Sequence, residues 1–182
     1  MKRALTVTAT VVALAAGTMG VVAAHADAPA DAASPATLQG DGADDRHLRE
    51  SDRLTVGAAT RAAQAALDAA EEADQRVTVA VVDRDGNTVV TLRGDGAGPQ
   101  SYQSAERKAY TAVSWNAPTS DLVERLEGAP TLRDIPGTLF LPGGVPVTAD
   151  GSPVAGIGVA GAPSGDLDEE FARAGAAALG LR

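Results

Sequence analysis

The spacing of apolar positions divides the chain after residue 53 into helices and strands. Apolar residues three and four positions apart predict helices over Val56–Ala73, Ser101–Trp115, Pro118–Glu127 and Leu167–Leu179. Runs rich in β-branched and other strand-forming residues predict strands at Val77–Asp83, Thr88–Arg93, Thr138–Leu141, Val145–Thr148 and Val154–Ala160. The predicted order is therefore α-β-β-α-α-β-β-β-α.

Turn signals indicate how the strands should pair. Asp85-Gly86 and Asp150-Gly151 each separate two predicted strands, and this dipeptide favours a tight hairpin. A hairpin joins antiparallel neighbours, whereas a parallel sheet needs strands and helices that alternate along the chain. We therefore expect an α/β fold of the α+β type, in which helices pack on an antiparallel sheet of about five strands.

Glycine recurs among the strand formers in the last third of the domain. Gly143 and Gly144 precede one predicted strand, and Gly156, Gly158 and Gly161 lie within or just after another. Because glycine weakens a strand interior, its repetition indicates the close approach of another group. Two interpretations remain open. One is tight packing of a helix on the sheet, which the composition favours, and the other is a shallow slot for a planar molecule.

The second predicted helix carries an unusual stripe of side chains. Ser104, Lys108, Thr111 and Trp115 lie between the alanine face of the helix and its water-facing side, within about 60° of one another. Polar, cationic and aromatic groups at the boundary of a core indicate the wall of a pocket or of a subunit interface. An ordinary amphipathic boundary is the alternative interpretation.

The first 26 residues have the pattern of a secretory signal peptide. Two basic residues precede an apolar run that ends at Val22, and Ala24-His25-Ala26 forms a small-x-small cleavage site. A transmembrane anchor is the alternative, but the run is interrupted by glycine and is short for a span. We expect the mature protein to begin at Asp27, to be extracellular or associated with the cell wall, and to have no stable membrane insertion.

Residues 27–52 are rich in Ala, Asp, Gly, Pro and Ser and show no apolar period. This composition predicts a disordered extension or linker before one domain over residues 53–182. The chain has a formal net charge of −9, and strong acidity argues against nucleic acid as a partner. It has no cysteine, so an exported domain must be stabilised by its core or by oligomerisation.

Several classes of chemistry are excluded by the residues present. The one histidine that follows the signal peptide, His47, lies in the linker, so a Ser-His-Asp triad cannot form inside the domain. The absence of cysteine argues against a structural zinc site. The sequence contains no phosphate-binding loop and no dinucleotide fingerprint. What remains is more typical of a binding module than of an ordinary hydrolase.

Acidic residues crowd the outer face of the first predicted helix. Glu71 and Glu72 follow Asp68 by three and four positions, where like charges repel. A cation such as iron would relieve this repulsion, because carboxylate oxygens are suitable ligands for it. A solvated acidic face is the alternative, and it is the commoner arrangement.

The order of short motifs resembles the GlcG/HbpS family over about residues 54–179. The motifs are Val79-Ala-Val-Val-Asp83 with Gly86, Arg93-Gly-Asp-Gly-Ala97, Ser104-Ala-Glu-Arg-Lys-Ala-Tyr-Thr-Ala112, Gly143-Gly-Val-Pro146 and Gly156-Ile-Gly-Val-Ala-Gly-Ala162. One departure is Ala160, where many members have serine. The secretion signal is similar to that of the HbpS-like, haem-binding branch of actinomycetes.

The resemblance implies a secreted haem-binding protein, with haem degradation and iron binding as further expectations. It also implies a homo-oligomer, expected to be an octamer. Its expected partner is the extracellular domain of a sensor histidine kinase in a two-component system for haem and redox sensing. Corrinoid-linked members of the family make cobalamin the alternative ligand.

The family's Lys-Ala-x-Thr-Ala motif falls on residues 108–112, which places the expected haem site on the stripe of the second helix. Lys108 is the expected partner of a haem propionate, and Thr111 is expected to face the iron. The other expected site residues are Ser104, Trp115, Arg93, Gly143 and Gly144. Apart from Tyr102 and Tyr110, the domain has no residue of the types that usually bind haem iron. We therefore expect weak binding, in a slot completed by another subunit.

Overall fold

The computed structural model describes residues 45–180, so the predicted signal peptide and most of the predicted linker lie outside the described residues. The helices are α1 (Val56–Glu72), α2 (Pro99–Trp115), α3 (Thr119–Gly128) and α4 (Gly165–Ala177), and the strands are β1 (Thr78–Asp83), β2 (Thr88–Arg93), β3 (Gly144–Ala149) and β4 (Ser152–Ala160). Short 3-10 turns cover Asp45–His47 and Pro130–Asp134. Within residues 45–180, no helix combines the length and the apolar character needed to cross a membrane.

The strands form one antiparallel sheet in the order β2-β1-β4-β3. The central strand β1 pairs with β2 through Thr78 and Arg93, and with β4 through Thr78 and Ala160. All but the last residue of β1 are buried. The structure thereby confirms the antiparallel α+β fold, the two hairpins and the central position of this strand.

The sheet has four strands, so the prediction of a strand at Thr138–Leu141 was wrong. This segment follows Gly137, whose φ of 83° turns the chain, and precedes Pro142, which has no N–H to donate. The backbone N–H of Leu139 donates instead to the Thr111 hydroxyl, at 2.8 Å. The segment is therefore a loop held by a side chain of α2.

The two faces of the sheet pack against different helices. Side chains alternate between the faces along a strand, so Val79 and Val81 join the core under α1 and α4. Their neighbour Ala80 contacts Ala105 of α2 on the opposite face, and Val82 contacts Ala109 there. Two apolar faces on one sheet explain why β1 is apolar at every position from Val79 to Val82.

Glycines of β3 and β4 allow α2 to lie directly on the sheet. A Cβ atom at Gly158 would overlap the carbonyl oxygen of Ala105, and one at Gly156 would overlap that of Ala109. At Gly144 it would overlap the carbonyl oxygen of Lys108. Helix-on-sheet packing therefore explains the repeated glycine, as the composition favoured.

Candidate functional site

The predicted stripe on α2 is divided between the core and the surface. Lys108 is only 4% exposed, and its Nζ atom lies 2.7 Å from Oδ2 of Asp168 on α4. The same ammonium donates to the carbonyl oxygen of Val159, at 3.0 Å. Lys108 does not extend past the edge of the sheet, so the expectation that it lines an open pocket was wrong for the isolated chain.

The Lys108–Asp168 pair joins α2 to α4 inside the protein. Burial raises the pKa of Asp168, while the Lys108 ammonium and the backbone N–H of Ala162, at 2.9 Å, act in the opposite direction. A buried ion pair is stabilising only while both partners and their hydrogen bonds are present. The pair therefore holds the two helices in one register across the end of β4.

Thr111 is fully buried, and its hydroxyl has two partners within the protein. It donates to the carbonyl oxygen of Arg107, at 2.7 Å, and accepts from the backbone N–H of Leu139, at 2.8 Å. The sequence had led us to expect that Thr111 faces the haem iron. In this chain its hydroxyl is instead buried and occupied by these two hydrogen bonds. It anchors the loop that follows Gly137 instead.

Ser104 and Trp115 lie at the two ends of the stripe and are half-buried. The Trp115 ring meets Phe140 edge-on, with centroids 5.9 Å apart, and the Arg125 guanidinium lies 5.6 Å from the indole. Arg93 is exposed, and it donates to the carbonyl oxygen of Ala97. A role for Arg93 or Ser104 in ligand binding stays a prediction.

Gly143 and Gly144 are buried and leave no slot for a planar molecule. A Cβ atom at Gly143 would lie 2.6 Å from Nζ of Lys108 and 2.7 Å from the carbonyl oxygen of Val159. Gly144 is covered by α2 in the same way. The interpretation that these two glycines admit a flat ligand was therefore wrong.

A groove of about 400 Å³ lies beside α3, which we call the α3 groove. It is lined by Val123, Leu126, Arg133, Thr138, Leu139, Phe140 and Leu141. The lining is apolar except for Thr138 and Arg133, and Leu141 remains 52% exposed. None of the seven residues predicted for the haem site lines this groove, but Thr111 and Trp115 contact its loop.

The sequence contained one signal for the α3 groove. The apolar run Leu139-Phe140-Leu141 is bracketed by Pro136 and Pro142, which is unfavourable for a paired strand. An apolar run that cannot pair in a sheet must be covered by another element or remain partly exposed. The strand prediction for Thr138–Leu141 reflects a common ambiguity, because a short apolar segment has no period that identifies its structure.

The acidic residues of α1 are all exposed. Asp68 accepts a hydrogen bond from the Gln64 side chain, at 2.7 Å. Among residues 45–180, no three His, Cys, Asp or Glu side chains are grouped so that they could hold a metal ion. Asp68, Glu71 and Glu72 are therefore not assembled as a metal site in this chain, and iron binding by them stays a prediction.

An antiparallel sheet between α2 and the α1–α4 pair, with an apolar groove beside a short third helix, defines a small α+β domain with a candidate ligand-binding groove. Residues 54–177 match the family model described as haem degrading protein HbpS-like. The chain belongs to this HbpS-like family, as the sequence motifs predicted.

Three solved structures illustrate the relationship. The crystal structure of HbpS is 74% identical, with a TM-score of 0.72, and the match covers 72% of this chain and 94% of that one. A double mutant of Streptomyces reticuli HbpS, with two glutamates changed to aspartate, is 69% identical over 80% and 97% of the chains, with a TM-score of 0.71. A complex of PduOC with haem is 26% identical over 70% and 95% of the chains, with a TM-score of 0.64.

Proposed function

We propose that this protein binds haem, and that the α3 groove is the haem site. The observation that carries the proposal is the relative solved as a haem complex, which shares the fold along 95% of its length. Membership of a family described by haem degradation gives independent support. Bound haem would supply redox-active iron, and residues of the protein would supply the contacts that hold the haem.

The lining of the α3 groove fits a flat, largely apolar molecule with acidic substituents. Its volume lies within the usual range for small-molecule sites, roughly 300–1,000 Å³, and most of its lining is apolar. Arg133 lies in the lining, and Arg125 stacks on Trp115 nearby. Guanidinium groups pair well with carboxylates such as haem propionates.

The contacts of the groove also indicate how haem would be held. The seven lining residues include no His, Cys, Met or Tyr, which are the usual protein ligands of haem iron. Binding would therefore depend on apolar contact and on propionate–arginine pairs. Thr111 and Trp115 would contribute by positioning the loop of Leu139 and Phe140 rather than by touching the iron.

Leu141 offers a direct test of the proposed site. Leu141→Glu should weaken haem binding by at least roughly tenfold, because a carboxylate would be desolvated by the ring and would repel the propionates. The side chain is 52% exposed, so the variant should remain folded. The measurement is a titration of the full chain with haem, followed by the Soret absorbance.

Val56→Glu is the matched control, because Val56 is 65% exposed on α1 and lines no part of the α3 groove. It should bind haem as the wild type does. A parallel titration with cobalamin tests the corrinoid alternative. Equal haem affinity in all three proteins would place the site elsewhere, and tighter binding of cobalamin than of haem would contradict the proposed ligand.

We also propose that the protein is secreted and acts in extracellular haem and redox sensing with a sensor histidine kinase. The signal-peptide pattern ending at Ala24-His25-Ala26 supports secretion, and the kinase partnership rests on the family resemblance. Intact-mass analysis of exported protein should give a chain that begins at Asp27. Retention of earlier residues would contradict cleavage there, and failure to bind the kinase's extracellular domain would contradict the partnership.

A homo-oligomer, with eight subunits by family resemblance, is the proposed assembly. Within residues 45–180, the edge strands β2 and β3 each have a single strand neighbour, and unpaired edges favour association. Tyr102 is a large aromatic side chain that remains exposed outside the α3 groove. Light scattering at micromolar concentration should give a mass well above that of one chain, and a monomer would contradict the proposal.

A further inference from the structure

Glu169 on α4 is a buried carboxylate that receives hydrogen bonds from distant parts of the chain. It is 4% exposed. Its Oε2 atom accepts from the backbone N–H of Ser120, at 3.0 Å, and from that of Gly143, at 3.3 Å. Its Oε1 atom accepts from the Ser120 hydroxyl, at 2.7 Å, and from the Arg173 guanidinium. One side chain therefore connects α4 to the start of α3 and to the residues before β3.

The N-terminus of α3 has no capping side chain of its own. The helix begins at Thr119, and the residue at the cap position is Pro118, which makes no side-chain cap hydrogen bond. The first N–H groups of a helix need partners from outside the helix. Glu169 supplies an acceptor for Ser120, and a negative charge at this end is also favoured by the helix dipole. The helix is thus capped by a residue of α4.

Thr119 strengthens the same junction. Its hydroxyl accepts from the backbone N–H of Gly144, at 2.8 Å, and lies 3.4 Å from Oε2 of Glu169, to which it can donate. Thr119 is fully buried. The junction therefore ties the start of α3 both to α4 and to the first residue of β3.

The junction contacts two segments that form the α3 groove. Helix α3 supplies Val123 and Leu126 to the lining, and Gly143 follows closely after Leu141 on the other side. The far end of that loop is held separately, by the bond from Leu139 to Thr111. Loss of the Glu169 carboxylate would remove hydrogen bonds from the start of α3 and from the Gly143 end of the loop together.

We infer that Glu169 is a positioning residue of the α3 groove, whose carboxylate keeps α3 docked and the groove formed. The inference deepens the proposed function, because it assigns the residue that sets the shape of the proposed haem site. Its structural part, the docking of α3, does not require haem and can be tested without it.

The charge of Glu169 should make the docking sensitive to acid. Burial raises its pKa, but the hydrogen bonds from Ser120, Gly143 and Arg173 outweigh this and hold it below the ordinary value of 4.5. A lowered pKa means that the carboxylate stabilises the fold above 4.5 and that this contribution is lost as pH falls through the folded-state pKa. The charged groups nearby are Arg173 and Asp168 on α4, and Lys108 of α2, which lies close to Gly143.

Hydrogen exchange of the full chain, without haem, tests the docking role. Glu169→Ala should increase exchange across residues 120–128 by at least roughly tenfold, because α3 loses the acceptor for the N–H group of Ser120. A tenfold change corresponds to about 1.4 kcal/mol. Strands β1 and β4 should stay protected. Glu169→Gln keeps the shape but loses the charge, so its α3 protection should be intermediate and should fall less than that of the wild type as the pH is lowered. In the wild type, protection of α3 should fall as the pH is lowered below 4.5.

Glu170, the exposed neighbour on α4, provides the control, and Glu170→Gln should exchange as the wild type does. Equal loss of protection in α3 and in β1 would overturn the inference, because it would make Glu169 a residue of global stability. An unchanged pH profile in Glu169→Gln would also overturn it. Haem titration of Glu169→Ala should show weaker binding, and a wild type that binds no haem would contradict the proposed function while leaving the exchange result intact.

Discussion

Lys108→Met is expected to lower the free energy of unfolding by about 3–5 kcal/mol, because it leaves the buried Asp168 carboxylate without its cation. The sequence had suggested a partly exposed lysine whose loss would mainly weaken ligand binding. Lys108 is only 4% exposed and its ammonium is held by Asp168 and Val159, which predicts a loss of stability instead. Urea denaturation of the full chain measures the effect.

Two further variants separate the ion pair from the rest of the packing. Lys108→Met combined with Asp168→Leu should recover much of the lost stability, because replacing both charges by apolar groups removes the unpaired carboxylate. Arg107→Ala, at an exposed position on the same helix, should stay within about 0.5 kcal/mol of the wild type. A Lys108→Met protein as stable as the wild type would contradict the account of the pair.

Gly158→Ala is expected to destabilise the protein by about 3 kcal/mol or more, at the upper end of overpacking effects. The new methyl group would overlap the carbonyl oxygen of Ala105 and approach the backbone nitrogen of Ala109 to 2.5 Å. Backbone atoms of a helix cannot move aside as a flexible side chain can. The midpoint of thermal or urea unfolding reports the loss.

Gly128→Ala is the control for the loss of glycine itself. Gly128 is the last residue of α3, and a Cβ atom there would meet nothing within 4 Å. This variant should be neutral or should gain up to about 1 kcal/mol, since alanine favours the helix. A small effect at Gly158 would mean that α2 can move away from the sheet, and that close packing does not explain the glycines.

The regular elements could be predicted because periodic burial leaves a periodic sequence. Alanines at helical spacing predicted α1, which is buried at Ala59, Ala63 and Ala66. The nearly apolar run from Val77 to Val82 predicted that β1 would be buried on both faces. In each case the pattern depends on the element and on the core beside it, and not on any distant residue.

The environment of Lys108 could not be predicted, because its partner is 60 positions away along the chain. A helical wheel gives the direction of a side chain from its own helix, but not what covers that direction. Asp168 and the residues before β3 cover it here. The stripe was correctly located at the edge of the alanine face, but the exposure of Lys108 was wrong because the packing of α4 against this part of α2 was not predicted.

The α3 groove could not be predicted from the sequence, for a different reason. It is formed by a short helix, a 3-10 turn and a loop, and loops have no period that identifies what they bury. Its construction depends on single hydrogen bonds, such as the one from Leu139 to Thr111. Thr111 was singled out from the sequence, and the structure gives it a role in holding this loop.

Diffraction at the iron absorption edge, from crystals of the full chain with haem, tests the central claim most directly. The account predicts an iron peak beside the α3 groove, close to Leu139 and Leu141 on one side and to Val123 and Leu126 on the other. An iron peak beside Ser104, at the opposite end of the α2 stripe from Trp115, would contradict the proposed site. Crystals grown with saturating haem that contain no iron peak would contradict haem binding itself.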